Sequence, residues 1–235
     1  MEVPRLDATA SITRLPLSPL SHFQFDSSKN LQDEVRVQAA VAVGHTEEGF
    51  VGYFEVKEPS VRALNVNPNE PVYQDSCVEC FLVFLRHTND KNSDHIEEYF
   101  NFEFNCIGTL LAAKGPSRTQ REYLSTELFS TVKVWTSFPQ GVAFEETKKD
   151  EGGDDQGSAE WHLTFLVPWH VIGISKEDYK QLLVPNQSSL VIKGNFYKCG
   201  DKLSRPHWIT FFPIVTERPD FHRPESFQPL VLQSS

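Results

Sequence analysis

The stretch YFNFEFNC, Tyr99–Cys106, decides the fold class. Successive side chains of a strand point to opposite faces, so Phe100, Phe102, Phe104 and Cys106 share one side. Tyr99, Asn101, Glu103 and Asn105 share the other. Three alternating phenylalanines predict a face pressed onto a core. The opposite row predicts a solvated face, with more amide and carboxylate than the Lys, Thr and Ser usual on an outer surface.

Working outward, the same period recurs. Val35, Val37, Ala39, Val41 and Val43 alternate up to Gly44, and Phe50, Gly52, Phe54 and Val56 alternate after it, which predicts a hairpin around HTEEG. Further strands are expected at Ser21–Phe25, Tyr73–Leu85, Gly108–Ala113, Val132–Phe138, Ser189–Cys199 and Phe227–Leu232. Another places Trp161, Leu163, Phe165 and Val167 on one face and ends at Pro168. Helix signals are confined to residues 117–129 and Lys176–Leu183. Residues 1–20 read as irregular, residues 86–95 as a charged turn, and Glu145–Glu160 as a mobile acidic loop. The expectation is an all-β, antiparallel, jelly-roll-like β-sandwich with one or two short helices, forming a single domain over residues 1–235.

Composition supports this and narrows the function. Eighteen Phe against one Met give material for a rigid aromatic core. A net charge of −10 leaves no basic stripe for nucleic acid and disfavours an anionic membrane surface, whereas neutral ligands stay open. The absence of a signal-like or membrane-spanning apolar run makes a cytoplasmic location the expectation, or a secreted one if a leader was removed. Cys77 and Cys80 form a CxxC without a second pair at zinc spacing. On a strand their sulfurs diverge, so both read as packing residues. His207 and His222 read as polar loop contacts rather than metal ligands, and Trp208 as either core or an exposed platform.

Two further strands repeat the polar row. Tyr73, Asp75, Cys77 and Glu79 share one parity, as do Lys193, Asn195 and Tyr197. If the three strands are neighbours, they line a polar surface suited to sugars: amides and carboxylates pair with hydroxyls, and an aromatic ring covers the C–H face of a pyranose. Glu79 and Glu103 are equally the best pair for a glycosidase, which needs two carboxylates flanking the scissile bond. A merely solvated face on a protein-interaction scaffold is the third reading. No Gly-rich phosphate loop, GxSxG or HExxH is present.

EPVYQDSCVECF (70–81), YFNFEFNCIGTLL (99–111), GNFYKCGD (194–201) and PDFHRPESF (219–227) together resemble the standalone branch related to family 9 carbohydrate-binding modules, over residues 21–232. The resemblance implies a β-sandwich that holds a sugar between two aromatic rings and does no chemistry, so no catalytic residue is assigned. It matches the rings to Tyr73 and Phe221, and the polar contacts to Glu79, Glu103 and Asn105. Asp75, Asn101, Asn195 and Tyr197 complete the expected ligand-binding set. Trp occupies both clamp positions in the family, and Cys77 interrupts its Asp-Ser-Val-Glu run. The resemblance further implies a glucan, xylan or small-sugar ligand, a glycoside hydrolase as protein partner, and structural calcium, with no required cofactor and no mapped metal ligands.

Overall fold

The computed structural model describes residues 1–23, 37–86, 98–146, 158–184 and 190–234. The strands are β1 (Glu2–Val3), β2 (Ser18–Pro19), β3 (His22–Phe23), β4 (Gln38–His45), β5 (Gly49–Glu58), β6 (Cys77–Arg86) and β7 (Tyr99–Asn105). They continue with β8 (Leu110–Gly115), β9 (Glu122–Tyr123), β10 (Lys133–Thr136), β11 (Ala159–Pro168), β12 (Leu190–Cys199), β13 (Trp208–Thr210) and β14 (Gln228–Leu232). One sheet runs β1-β14-β12-β6-β7-β8-β9, with β13 and β3 joined to it through β12. The other runs β10-β11-β5-β4-β2. All pairings between these strands are antiparallel except β1 with β14.

The two sheets form a β-sandwich whose core follows the predicted alternation. Phe102, Phe104, Val78, Cys80, Leu82, Ile192 and Phe196 from the large sheet meet Val41, Val43, Phe50, Phe54, Leu163 and Phe165 from the small one. Phe104 stacks on Phe165 across the interface at 5.0 Å and 17°. Gly52 makes room for that arrangement, since a Cβ there would lie 2.2 Å from the Phe165 ring. Cys77 and Cys80 do diverge: Cys80 lies in this core and Cys77 in a second cluster on the far face.

One polar group crosses the core. Lys198 on β12 reaches Glu58 on β5 at 2.9 Å, with both side chains fully buried. The ammonium also meets His207 Nε2 at 2.8 Å and donates to the Cys199 carbonyl at 2.8 Å, while Trp161 Nε1 donates to Glu58 at 2.7 Å. Burial and the Lys198 charge hold His207 well below the ordinary histidine range, so it takes part as neutral imidazole.

Several sequence expectations are corrected in detail. Residues 1–20 contribute β1 and β2, because Glu2 and Val3 pair with the last strand. The helix expected over residues 117–129 shrinks to α1 (Thr126–Phe129), preceded by β9, whereas α2 (Lys176–Leu182) forms with a full capping box at Ser175 and Asp178. The strand expected from Tyr73 starts at Cys77, after a 3-10 turn over Val72–Gln74. The strand expected at Gly108–Ala113 is shifted to Leu110–Gly115, since Gly108 takes φ 83° in a turn. The charged turn at 86–95 lies almost wholly outside the described residues, as do residues 147–157 of the acidic loop and the end of the strand expected at Ser21–Phe25.

Candidate functional site

Strand register converts the three polar rows into one grid. Cys199, Cys77 and Asn105 stand side by side across β12, β6 and β7. Tyr197, Glu79 and Glu103 form the next row, and Asn195, Phe81 and Asn101 the one after. β13 lengthens the first row by setting Trp208 opposite Cys199. The three strands are thus neighbours, as the sugar-face reading required.

The face is not open to solvent, which corrects the expected wet side of Tyr99–Cys106. Tyr99, Asn101, Glu103 and Asn105 are all 2% exposed or less. Segments before β6 and after β12 fold over the sheet and bring Val72, Phe221 and Phe227 down onto Phe81, Tyr99 and Tyr197. Two of the amides, Asn195 and Asn105, satisfy backbone groups of the segments around this cover. Asn195 clamps the backbone of Phe212 through both side-chain atoms, at 2.9 and 3.1 Å. Asn105 accepts from Thr109 N at 2.9 Å and donates to Asn65 O and to Asp75, and Asp75 in turn accepts from the backbone and side chain of Asn65.

Where the cover is incomplete, a cavity of about 220 Å³ reaches the sheet. Of the nine predicted ligand-binding residues, Tyr73, Glu79, Glu103 and Phe221 line it. Asp75, Asn101, Asn105, Asn195 and Tyr197 do not; of these, Asn101 and Tyr197 hold the lining residues Glu103 and Phe221. Tyr197 carries Phe221 on its ring at 4.3 Å and 15° and donates to the Phe221 carbonyl at 3.3 Å. Sequence reasoning missed Arg118, Arg121, Cys199, Asp201 and Asp220, and it read His222 as a polar loop contact and Trp208 as either core or an exposed platform; all line the cavity. Only Trp208 and the His in PDFHRPESF carried a signal in the sequence.

Charge is concentrated on the floor. Glu103 accepts from Arg121 at 3.2 Å and from Asn101 at 3.0 Å through one oxygen, while its buried Oε2 has no hydrogen-bond partner among the described residues. Burial pushes its carboxyl up to about 6 against the opposing pull of Arg121. Glu79 is driven well above the usual carboxylate range, first by burial and then by the charge of Glu103, although the Cys199 thiol donates to it at 3.1 Å. Asp201 accepts from Trp208 Nε1 at 2.7 Å and so fixes the indole at the cavity wall. His222 meets the Tyr99 hydroxyl at 2.7 Å and is pushed down to about 3 by burial, with Arg121 and Arg118 adding to the effect.

Calcium takes six to eight oxygen ligands. Among the described residues one group of three or more His, Cys, Asp or Glu brings its ligand atoms within 4.8 Å of one another, and it is Cys77, Glu79 and Cys199. Two sulfurs and one carboxylate do not fit calcium.

A two-sheet sandwich with a small cavity of carboxylates, arginines and aromatic rings on the outer face of one sheet defines a β-sandwich ligand-binding domain. Residues 14–232 match the model of carbohydrate-binding family 9, and the chain belongs to that family. Its fold is similar to that of a candidate carbohydrate-binding protein from Bacteroides uniformis, at 29% identity and a TM-score of 0.74, covering 99% of this chain and 98% of that one. It is also similar to a family 9 module from Caldicellulosiruptor kristjanssonii in complex with cellotriose, at 9% identity and a TM-score of 0.56 over 100% and 94% of the chains. The complex of a family 9 module from the same organism with glucose gives 9%, 0.54, 100% and 96%. No curated protein matches the sequence.

Proposed function

We propose that the chain binds a saccharide in the cavity lined by Tyr73, Trp208 and Phe221 and floored by Glu79 and Glu103, and that it does so without chemistry on the ligand. The observation that carries this reading is that one cavity is lined jointly by two carboxylates, Glu79 and Glu103, and three aromatic residues, Tyr73, Trp208 and Phe221. Carboxylates accept from sugar hydroxyls, and both carboxylates stand on the cavity floor. Arg121 and Asp201 add a donor and an acceptor within the same cavity, and the three aromatic residues offer faces for pyranose C–H groups.

The cavity volume sets the scale of the ligand. About 220 Å³ falls below the roughly 300–1,000 Å³ of sites for drug-sized ligands, which favours one sugar ring. A free monosaccharide or the terminal residue of a glucan or xylan chain fits, with the rest of the chain outside. Phe221 is 7% exposed and already stacked on Tyr197, whereas Tyr73 and Trp208 are partly exposed and supply the freer surfaces.

Calorimetric titration with glucose, xylose and their β-1,4 oligomers tests the reading, with Glu103→Ala expected to abolish the heat while the variant stays folded. Hydrolysis of an oligomer, lost in Glu79→Gln, would replace it with the glycosidase reading. Silence from all ligands would sink both.

A further inference from the structure

The floor of the cavity contains a second arrangement of chemistry. Cys77 and Glu79 lie two apart on β6 and therefore point to the same face. Cys199 stands directly opposite Cys77 on β12. Their Sγ, Oε and Sγ atoms all lie within 4.8 Å of one another, and all three residues are buried. Cys199 Sγ is 3.1 Å from Glu79 Oε1. A tetrahedral zinc ion with bonds of about 2.3 Å to sulfur and about 2.0–2.2 Å to oxygen holds such atoms about 3.5–3.8 Å apart, so the triangle needs only a small adjustment to close on an ion.

We propose that Cys77, Glu79 and Cys199 bind a thiophilic divalent cation, zinc above all, at the floor of the cavity. Two thiolates select such an ion over calcium or magnesium. On binding, each thiol releases its proton to solvent and its sulfur forms a bond to the metal, so uptake lowers the pH of a weakly buffered sample. Glu79 and Cys199 line the cavity while Cys77 closes the site from behind, which turns the fourth coordination position towards the cavity. Three protein ligands and one open position are the pattern of zinc sites that accept water or a ligand oxygen. The inference stands apart from saccharide binding, because the triangle is complete without a sugar.

The test uses the full chain, reduced, stripped of metal and free of saccharide. Zinc is titrated in competition with a chromophoric chelator, and cobalt(II) replaces it for absorption spectroscopy. One equivalent of zinc and a thiolate-to-cobalt charge-transfer band are expected. Cys199→Ser and Cys77→Ser should each weaken zinc binding by on the order of 100-fold, with folding verified by circular dichroism. Either of two results overturns the proposal without any variant: no stoichiometric zinc uptake, or a cobalt spectrum lacking the thiolate band. A Cys77–Cys199 disulfide in the chain as isolated also overturns it. A chain that takes zinc but no sugar counts against the previous section alone, and the reverse outcome counts against this one alone.

Discussion

Glu79 and Glu103 face each other on neighbouring strands, each no more than 3% exposed. Burial disfavours the charge on each carboxyl, and a charge on Glu103 further opposes one on Glu79. Arg121 and Asn101 compensate one oxygen of Glu103 and the Cys199 thiol one of Glu79. The floor thus carries strain that a purely structural sheet would not keep.

Relieving that strain should stabilise the protein at the expense of its ligand. Glu103→Gln keeps the shape of the side chain and removes a buried charge. At pH 7.5 it should gain about 1–2 kcal/mol, a rise in thermal midpoint of roughly 2–8 °C, while binding of saccharide weakens. Scanning calorimetry checks the first half. A midpoint that falls instead would mean that the Arg121 contact outweighs the cost of burying the charge.

The clasp between the sheets behaves oppositely. Lys198→Met leaves Glu58 buried beside Trp161 without its cation, and should cost about 3–5 kcal/mol. Adding Glu58→Gln should restore most of the loss. A double-mutant cycle in urea reads this, and strictly additive losses would remove the clasp from the account.

His222 sets a pH dependence with a definite sign. Its pKa is lowered to about 3 in the fold against 6.5 for an ordinary histidine, so the unfolded chain binds a proton first as pH falls. Its contribution to stability is full above about pH 6.5 and is lost as pH drops towards 3. The gap in melting temperature between wild type and His222→Gln should therefore narrow steadily from pH 7 to pH 4. A gap that is constant or widens would show that His222 is protonated in the fold.

Much of the sandwich could be read directly from residues. The parity of Phe100, Phe102 and Phe104 against Asn101 and Glu103 survives intact, because a period of two is a local property of the strand. The sugar-face reading requires β12, β6 and β7 to be neighbours, and their long-range register meets that requirement. What local pattern could not convey was the cover. Phe221 and Phe227 come from a Pro-punctuated segment whose path no periodicity describes, and their packing turns a wet face into a buried floor. The same gap hid Arg121 and Asp201, which reach the site from loops, and the Cys77–Cys199 pairing. The CxxC sets Cys77 beside Cys80 in sequence only, since their sulfurs diverge, whereas strand register sets Cys77 opposite Cys199.

The central claim is that the cavity between Tyr73 and Trp208 takes a sugar ring, and calorimetric titration of wild type, Tyr73→Ala and Trp208→Ala measures it most directly. A saturable one-site heat with a gluco- or xylo-saccharide is predicted for the wild type, and each aromatic variant should lose about tenfold or more in affinity, near 1.4 kcal/mol. Absence of heat in folded wild type across the whole ligand set, or affinity unchanged in both variants, would contradict the account.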